Sequence, residues 1–252
     1  MVDLYELEQY TNSLLDINRF RDYAPNGLQV EGRPEVRTLV TGVTASQRLL
    51  DAAVEAGADA VMVHHGYFWK SENPVIRGMK KQRLMTLLKH DISMFGYHLP
   101  LDAHPELGNN ARLGQLLGIS ASEAMDEREL QGVGNIGLLE PPLSLQDFAQ
   151  RVAVVLQREP LLVEGGDHLI RRIAWCTGGA QGYIDKAYEL GADAYLSGEI
   201  SENTTHSARE NGLHYIAAGH HATERYGVQA LGQHLAEQFE LKHLHIDVDN
   251  PA

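Results

Sequence analysis

Short apolar runs alternate with amphipathic stretches along most of the chain, and this alternation predicts strands and helices in turn. The run at 60–63 is typical of a buried strand, and the stretch at 45–56 before it is typical of a helix that ends at Gly57. Asp3 and Glu6 predict a capped helix at the N-terminus. Further strands are predicted at 38–40, 92–97, 170–176, 194–196, 213–218 and 243–248, and further helices at 76–90, 183–190, 202–211 and 223–239. This pattern favours an α/β fold with mainly parallel sheets and flanking helices.

Residues 126–142 interrupt the alternation, because they contain several glycines and the pair Pro141-Pro142. We interpret this segment as a lobe junction or an antiparallel excursion. The chain is therefore expected to form a first α/β lobe at 1–125 and a second α/β lobe at 126–252, which can also make up one compact unit.

The second half of the chain repeats features of the first. The stretch 51–60 matches 185–194 around a shared Gly-Ala-Asp-Ala sequence, and each stretch follows a Thr-Gly pair at a predicted strand end. The stretch 98–102 likewise aligns with 220–224. Helix–glycine–strand junctions can resemble one another by chance, but several blocks recur in the same order. We therefore predict two similar lobes that arose by internal duplication, with a shared site between them.

Three polar clusters follow predicted buried strands, at the edge where α/β sheets bind ligands. Each cluster contains histidine, and two of them also contain a carboxylate. The clusters are His64 and His65 after 60–63, His98, Asp102 and His104 after 92–97, and His220, His221 and Glu224 after 213–218. A single histidine in such a place is usually structural, but three clusters at equivalent edges indicate one site.

The residue types in these clusters favour metal ions. Neutral imidazole and carboxylate suit zinc, iron, manganese and related ions, and a carboxylate can bridge two of them. Because side chains alternate along a strand, His64 and His65 fit two ions better than one. The remaining histidines have no such placement, and we interpret them as structural: His90, His168, His206, His214, His234, His243 and His245.

Composition narrows the classes of function. The chain carries 34 Asp and Glu against 21 Lys and Arg, so a nucleic acid is not expected as the main partner. Cys176 is the single cysteine, which excludes an internal disulfide and favours a reducing, cytoplasmic location. No signal peptide or membrane-spanning run is evident in the sequence.

Several motifs together resemble the dinuclear metal-centre proteins of the NIF-three-like family, which are often described as type 2 homologues of GTP cyclohydrolase I. The likeness extends over essentially the whole chain. The motifs that carry it are His64-His65-Gly66-Tyr67-Phe68-Trp69, His98-Leu99-Pro100-Leu101-Asp102-Ala103-His104, Gly108-Asn109-Asn110, Gly219-His220-His221-Ala222-Thr223-Glu224, Asp22-Tyr23-Ala24-Pro25-Asn26-Gly27-Leu28-Gln29-Val30-Glu31-Gly32 and Thr177-Gly178-Gly179.

The resemblance implies two divalent metal ions per chain, with zinc, iron, manganese, nickel and magnesium as candidates. It implies that Glu224 bridges the two ions, that His64 and His220 bind one, and that His65 and Asp102 bind the other. It also implies a ring-shaped homohexamer.

Two classes of function follow. The first is a metal-dependent hydrolase acting on a nucleotide-like small molecule, with His98, His104 and His221 as candidates for orienting ligands or moving protons. The second is a non-catalytic metal-binding or regulatory partner-binding protein. The aromatic run at 67–69 fits either class, because it can stack on a base or pack within the fold.

Overall fold

A computed structural model describes residues 1–252. The strands are β1 (Val2–Asp3), β2 (Gly27–Val30), β3 (Glu35–Val36), β4 (Thr38–Thr44), β5 (Ala60–His65), β6 (Ser93–Gly96), β7 (Ser120–Ala124), β8 (Asn135–Leu143), β9 (Leu161–Val163), β10 (Ile170–Cys176), β11 (Ala194–Ser197), β12 (His214–Ala217) and β13 (Lys242–His245). The α-helices are α1 (Leu4–Leu14), α2 (Gln47–Glu55), α3 (Gly78–Lys89), α4 (Leu99–Ala103), α5 (Asn109–Leu116), α6 (Leu145–Leu156), α7 (Ile184–Glu189), α8 (Glu202–Asn211), α9 (His220–Thr223) and α10 (Arg225–Phe239). Every predicted strand and helix is present, with bounds that differ by a few residues at most.

The first of two compact units comprises residues 1–101 and 227–249. Its five-stranded sheet has the order β13-β4-β5-β6-β2. Strands β13, β4, β5 and β6 are parallel, and β2 pairs antiparallel with β6 at one edge. Helix α2 begins where the Ser46 side chain accepts a hydrogen bond from Leu49 N, and it ends before Gly57, whose φ is +66°. Leu49, Val61 and Met94 belong to the core that these elements enclose.

The second compact unit comprises residues 102–226 and 250–252. Its six-stranded sheet has the order β7-β8-β10-β11-β12-β9. Strands β10, β11 and β12 are parallel, whereas β8, β9 and β7 pair antiparallel with β10, β12 and β8. Strand β8 begins within the segment that interrupts the sequence pattern, so the predicted antiparallel excursion is confirmed. The core includes Trp175, Leu196 and Ile216, all fully buried.

The predicted duplication is visible in matching hydrogen bonds of the two units. Asp59 precedes β5 and Asp193 precedes β11, at equivalent places in the repeated sequence. Oδ2 of Asp59 accepts two successive backbone N–H groups at the start of β4, both at 2.9 Å. Oδ2 of Asp193 accepts two successive N–H groups of β10, at 2.9 and 2.8 Å. The glycines two residues earlier, Gly57 and Gly191, have φ of +66° and +70°. The repeated sequence therefore builds the same helix–turn–strand junction twice.

The compact units differ from the predicted lobes in two stretches. Residues 102–125 belong to the second unit, because β7 pairs with β8 and the side chains of Leu113 and Leu117 lie in its core. Residues 227–249 belong to the first unit, because β13 pairs in parallel with β4. No helix in the structure combines the length and the apolar character needed to cross a membrane.

Candidate metal centre

Three histidines of the first unit gather at one edge of its sheet. His64 and His65 are the last residues of β5, and His98 lies two residues beyond the end of β6. Because β5 and β6 are parallel neighbours, their carboxyl ends meet at this edge. Ring centroids lie 4.5 Å apart for His64 and His65, and 5.1 Å for His64 and His98. One nitrogen of each ring lies within 4.8 Å of the others, a spacing that suits a metal ion.

Hydrogen bonds set the direction of the two β5 imidazoles. Nδ1 of His64 donates to the backbone oxygen of Tyr97 at 2.9 Å, and the His64 side chain is buried. Nδ1 of His65 lies 3.3 Å from Oγ1 of Thr44, at the end of the neighbouring strand β4. With Nδ1 directed at a protein atom, Nε2 is the nitrogen of each ring that can act as a metal ligand.

His98 is oriented by a carboxylate. Its Nδ1 donates to Oδ1 of Asp22 at 2.7 Å. Asp22 is buried and also accepts from Leu99 N and Asn26 Nδ2, each at 2.9 Å. Burial alone would raise the pKa of Asp22, but the hydrogen bond and charge of His98 outweigh it and lower that pKa to about 2. The predicted candidate His98 therefore belongs to the histidine cluster and is fixed in it by an ionised partner.

The aromatic run after the cluster divides into packing and exposed residues. Tyr67 is buried and donates its hydroxyl to the Ala45 backbone oxygen at 2.8 Å, so it packs within the first unit. Trp69 lies beside the cluster, with ring centroids 4.9 Å from His98 and 6.0 Å from His65. Phe68 is partly exposed and has a left-handed backbone, φ +64°. Trp69 thus forms an aromatic boundary of the histidine cluster.

In the second unit, His220 and Glu224 lie one helical turn apart, at the two ends of α9. Nε2 of His220 lies 3.2 Å from Oε2 of Glu224, and Glu224 is buried. Nδ1 of His220 donates to Oε1 of Glu199 at 2.7 Å. Burial lowers the pKa of His220, but the hydrogen bonds and charges of Glu224 and Glu199 prevail and raise it to about 9. A cation that binds at Nε2 of His220 therefore competes with a proton for that nitrogen.

Gly178 makes room for this pair. Its φ is +67°, and a Cβ at this position would lie 2.0 Å from Oε1 of Glu224 and 3.1 Å from Nε2 of His220. Its backbone N–H donates to Oγ1 of Thr223 at 3.0 Å. The backbone at Gly178, just after β10, thus leaves a space for the side chains of Glu224 and His220 that any residue other than glycine would fill. We call this space the cradle.

Asp102 is a further carboxylate of this region of the second unit. It is buried, and one of its oxygens lies within 4.8 Å of an oxygen of Glu224. Its Oδ1 accepts from Asn109 Nδ2 at 2.9 Å and from Thr177 Oγ1 at 3.3 Å. The asparagine motif at 109–110 therefore orients a candidate ligand.

Two further candidates lie in supporting positions. Nδ1 of His104 accepts from the backbone N–H groups of Leu107 and Glu106, at 3.1 and 3.2 Å, which caps the turn before α5. His221 is buried, and its backbone N–H donates to the Ala252 oxygen at 3.2 Å. These hydrogen bonds support the local structure, and a role for His104 and His221 in proton transfer stays a prediction.

Glu199 is a residue that the sequence analysis missed. It lies two residues beyond the end of β11, and its carboxylate binds His220. The repeated sequence contains a signal for it, because the alignment of 51–60 with 185–194 places Glu199 at the position of His65. The second repeat has a carboxylate at this position where the first has a histidine, so a pattern of repeated histidines does not include Glu199.

Similarity to known proteins extends over the whole chain. A family model described as Duf34/NIF3 (NGG1p interacting factor 3) matches residues 2–251. A relative from Pseudomonas aeruginosa named GTP cyclohydrolase 1 type 2 homolog is 59% identical over 251 residues, covering 100% of this chain and 99% of the relative. A solved structure described as "Structural genomics, protein ybgI, unknown function" is 54% identical, with a TM-score of 0.95 and complete coverage of both chains. The solved structure of TTHA1606 from Thermus thermophilus is 34% identical, with a TM-score of 0.91 and complete coverage of both chains.

Proposed function

Because this chain belongs to the Duf34/NIF3 family, we propose that it binds two divalent metal ions and uses them as a metal-dependent hydrolase of a nucleotide-like small molecule. Family membership confirms the resemblance that the histidine motifs indicated. The proposed metal ligands are His64, His65, Asp102, His220 and Glu224.

The orientation of the imidazoles carries the metal-binding proposal. His64 and His220 both direct Nδ1–H at a protein oxygen, at 2.9 and 2.7 Å, which leaves Nε2 as the ligand atom. His98 has the same arrangement, at 2.7 Å, and can serve either as a further imidazole ligand or as a base. Buried Asp102 and Glu224 add the carboxylates that divalent ions need for charge balance. This donor set fits zinc, iron, manganese and nickel, and its carboxylates also suit magnesium.

A pair of bound divalent ions would lower the pKa of a coordinated water and stabilise charge that develops in a displacement reaction. The chain's own residues supply the rest of the proposed chemistry. The Asp22–His98 pair holds an imidazole in a fixed orientation, as a general base or acid requires. Trp69 presents a ring beside that imidazole, where a planar substrate group can pack.

Elemental analysis and turnover assays test the proposal together. Protein purified without added metal, and protein reloaded with zinc or manganese, should contain about two ions per chain, as the dinuclear proposal requires. The loaded protein should hydrolyse a member of a nucleotide panel. Glu224→Gln should abolish both full loading and turnover, whereas Glu202→Gln, an exposed glutamate at the start of α8, should leave both unchanged.

The outcomes separate the two classes of function. A metal content near zero after reloading would contradict the metal proposal itself. Full loading with no turnover above the metal-free protein would instead support a non-catalytic metal-binding or regulatory role. Mass action offers a second readout, because a true ligand raises the melting temperature of the loaded protein.

Self-association into a homohexamer is a further part of the proposal. Helix α3 buries Leu84 and Leu87 but exposes Met79, Met85 and Leu88, each by more than half of its surface. Exposed apolar side chains on one helix are typical of an association surface. Light scattering should then give six times the 27.9 kDa chain mass, and the mass of a single chain would contradict this part of the proposal.

A further inference from the structure

The geometry points to Glu199 as the residue that positions His220 for metal binding, an inference that rests on the proposed function. Glu199 follows β11, and its Oε1 accepts the Nδ1–H of His220 at 2.7 Å. This distance is typical of a short, charge-assisted hydrogen bond. The opposite nitrogen of the same ring, Nε2, lies 3.2 Å from Glu224. The imidazole is therefore held between two carboxylates, one at each nitrogen.

The surroundings of Glu199 keep its carboxylate directed at the ring. Its backbone oxygen accepts the hydroxyl of Tyr215, which fixes the chain after β11. Oε2 lies 3.4 Å from Nε2 of Gln181, and the same amide group donates to Ser201 Oγ at 3.1 Å. The Glu199 side chain is nevertheless 45% exposed. Because it fills no core volume, its removal should affect the orientation of His220 more than the stability of the fold.

A carboxylate that accepts the Nδ1–H of a metal-binding imidazole has two chemical effects. It fixes the tautomer that carries hydrogen on Nδ1, so that the lone pair resides on Nε2, and it makes that nitrogen a stronger donor to a cation. Loss of such an outer partner typically weakens metal binding by about 10- to 100-fold. We therefore assign Glu199 a positioning role, in which it acts on the metal ion through His220.

The counterpart in the first unit has a different character. Asp22 supports His98 with the same 2.7 Å bond, but it is buried and also accepts from Leu99 N and Asn26 Nδ2. A change at Asp22 would disturb the backbone together with the imidazole. Glu199 is the better test of positioning, because its carboxylate has fewer structural partners and lies at the surface.

Zinc binding to the complete protein tests the inference, with Glu199→Ala, Glu199→Gln and the matched control Glu202→Gln. Chelator competition at pH 7 measures the zinc dissociation constant, and elemental analysis measures the zinc content. We expect Glu199→Ala to weaken zinc binding by about 10- to 100-fold with the number of sites unchanged. Glu199→Gln keeps an acceptor oxygen without the charge, so its loss should be smaller. Glu202→Gln should bind zinc as the unaltered chain does.

Proton NMR of the zinc-loaded protein gives a readout that a merely structural role would not change. The Nδ1–H of His220 should produce a downfield signal that disappears in Glu199→Ala, because the unprotected proton exchanges with water. Unchanged affinity in Glu199→Ala, or a retained signal, would overturn the inference. A reduced number of zinc sites would also overturn it, because Glu199 would then be a ligand itself. If the unaltered chain binds no zinc, the proposed function fails instead, so the two failures are distinguishable.

Discussion

Gly178→Ala is the most direct test of the cradle that holds the His220–Glu224 pair. The added Cβ would lie 2.0 Å from Oε1 of Glu224, well inside any real contact distance. Glu224 is buried, so its carboxylate must shift to a new position within a packed region. Metal–ligand distances tolerate changes of only about 0.2 Å, so we expect zinc affinity to fall by at least about tenfold.

Gly191→Ala is the matched control for backbone strain. Gly191 has φ +70°, close to the +67° of Gly178, but a Cβ there would meet nothing within 4 Å. The backbone conformation should cost about 1–2 kcal/mol of stability in both variants, because alanine is disfavoured in the left-handed region, and Gly178→Ala should lose more because of its clash. In a chain of this size the backbone cost alone corresponds to a melting temperature lower by about 2–8 °C. Only Gly178→Ala should also lose metal affinity.

Urea unfolding followed by circular dichroism measures the stability of both variants, and chelator competition measures their zinc affinity. The difference between the variants isolates the clash with Glu224 from the cost of the backbone conformation. Equal zinc affinity in Gly178→Ala and the unaltered chain would refute the assignment of Glu224 as a ligand held by this cradle. Weak zinc binding by Gly191→Ala would refute the separation of strain from site geometry.

Three further predictions concern the two units separately. Asp193→Ala should cost on the order of 2 kcal/mol, because two backbone N–H groups of β10 lose their shared acceptor. Asp59→Ala should lower the free energy of unfolding by at least as much, because Asp59 also binds Arg33 at 2.7 Å. Urea unfolding measures the loss of stability in both variants, and a negligible loss in either would contradict the prediction. Burial lowers the pKa of His243 below its usual 6.5, so the folded state resists protonation there. The stability that neutral His243 supports should be present above pH 6.5 and be lost as the pH falls below it. His243→Gln should flatten that decline in urea unfolding between about pH 7.5 and about pH 5.5, and an unchanged slope would argue against the assignment.

Hydrophobic patterning was sufficient to predict the α/β fold and the position of its parallel strands, whereas β1, β2, β3, β7 and β9 were not predicted. The run at 60–63 became the buried part of β5, and the antiparallel strand β8 begins within the segment at 126–142. Local sequence determines such features directly, because apolar periodicity and glycine act within a few residues. The histidine pair 64–65 was also placed correctly at a strand end, since strand direction fixes which end of a parallel sheet carries the polar residues.

Long-range pairings could not be predicted in the same way. Nothing in the residues around Lys242 states that β13 pairs with β4, which lies about two hundred positions earlier. The hydrogen-bond partners of the histidines could not be predicted for the same reason. Asp22 is far in sequence from His98, and Glu199 follows a different strand from the one that precedes His220. The repeat alignment is the one sequence feature that connects Glu199 to the site. It places Glu199 at the position of His65, so the two repeats have different residue types there.

The late position of β13 has a consequence for synthesis on the ribosome. All six strands of the sheet in the second unit lie between Ser120 and Ala217. That sheet can therefore assemble while the C-terminal residues are still being translated. Strand β4 has an open edge until Lys242–His245 emerge. The sheet of the N-terminal unit, which in most proteins folds first, is thus completed after the sheet of the second unit. We expect nascent chains shorter than about 240 residues to depend on chaperones that shield an exposed strand edge.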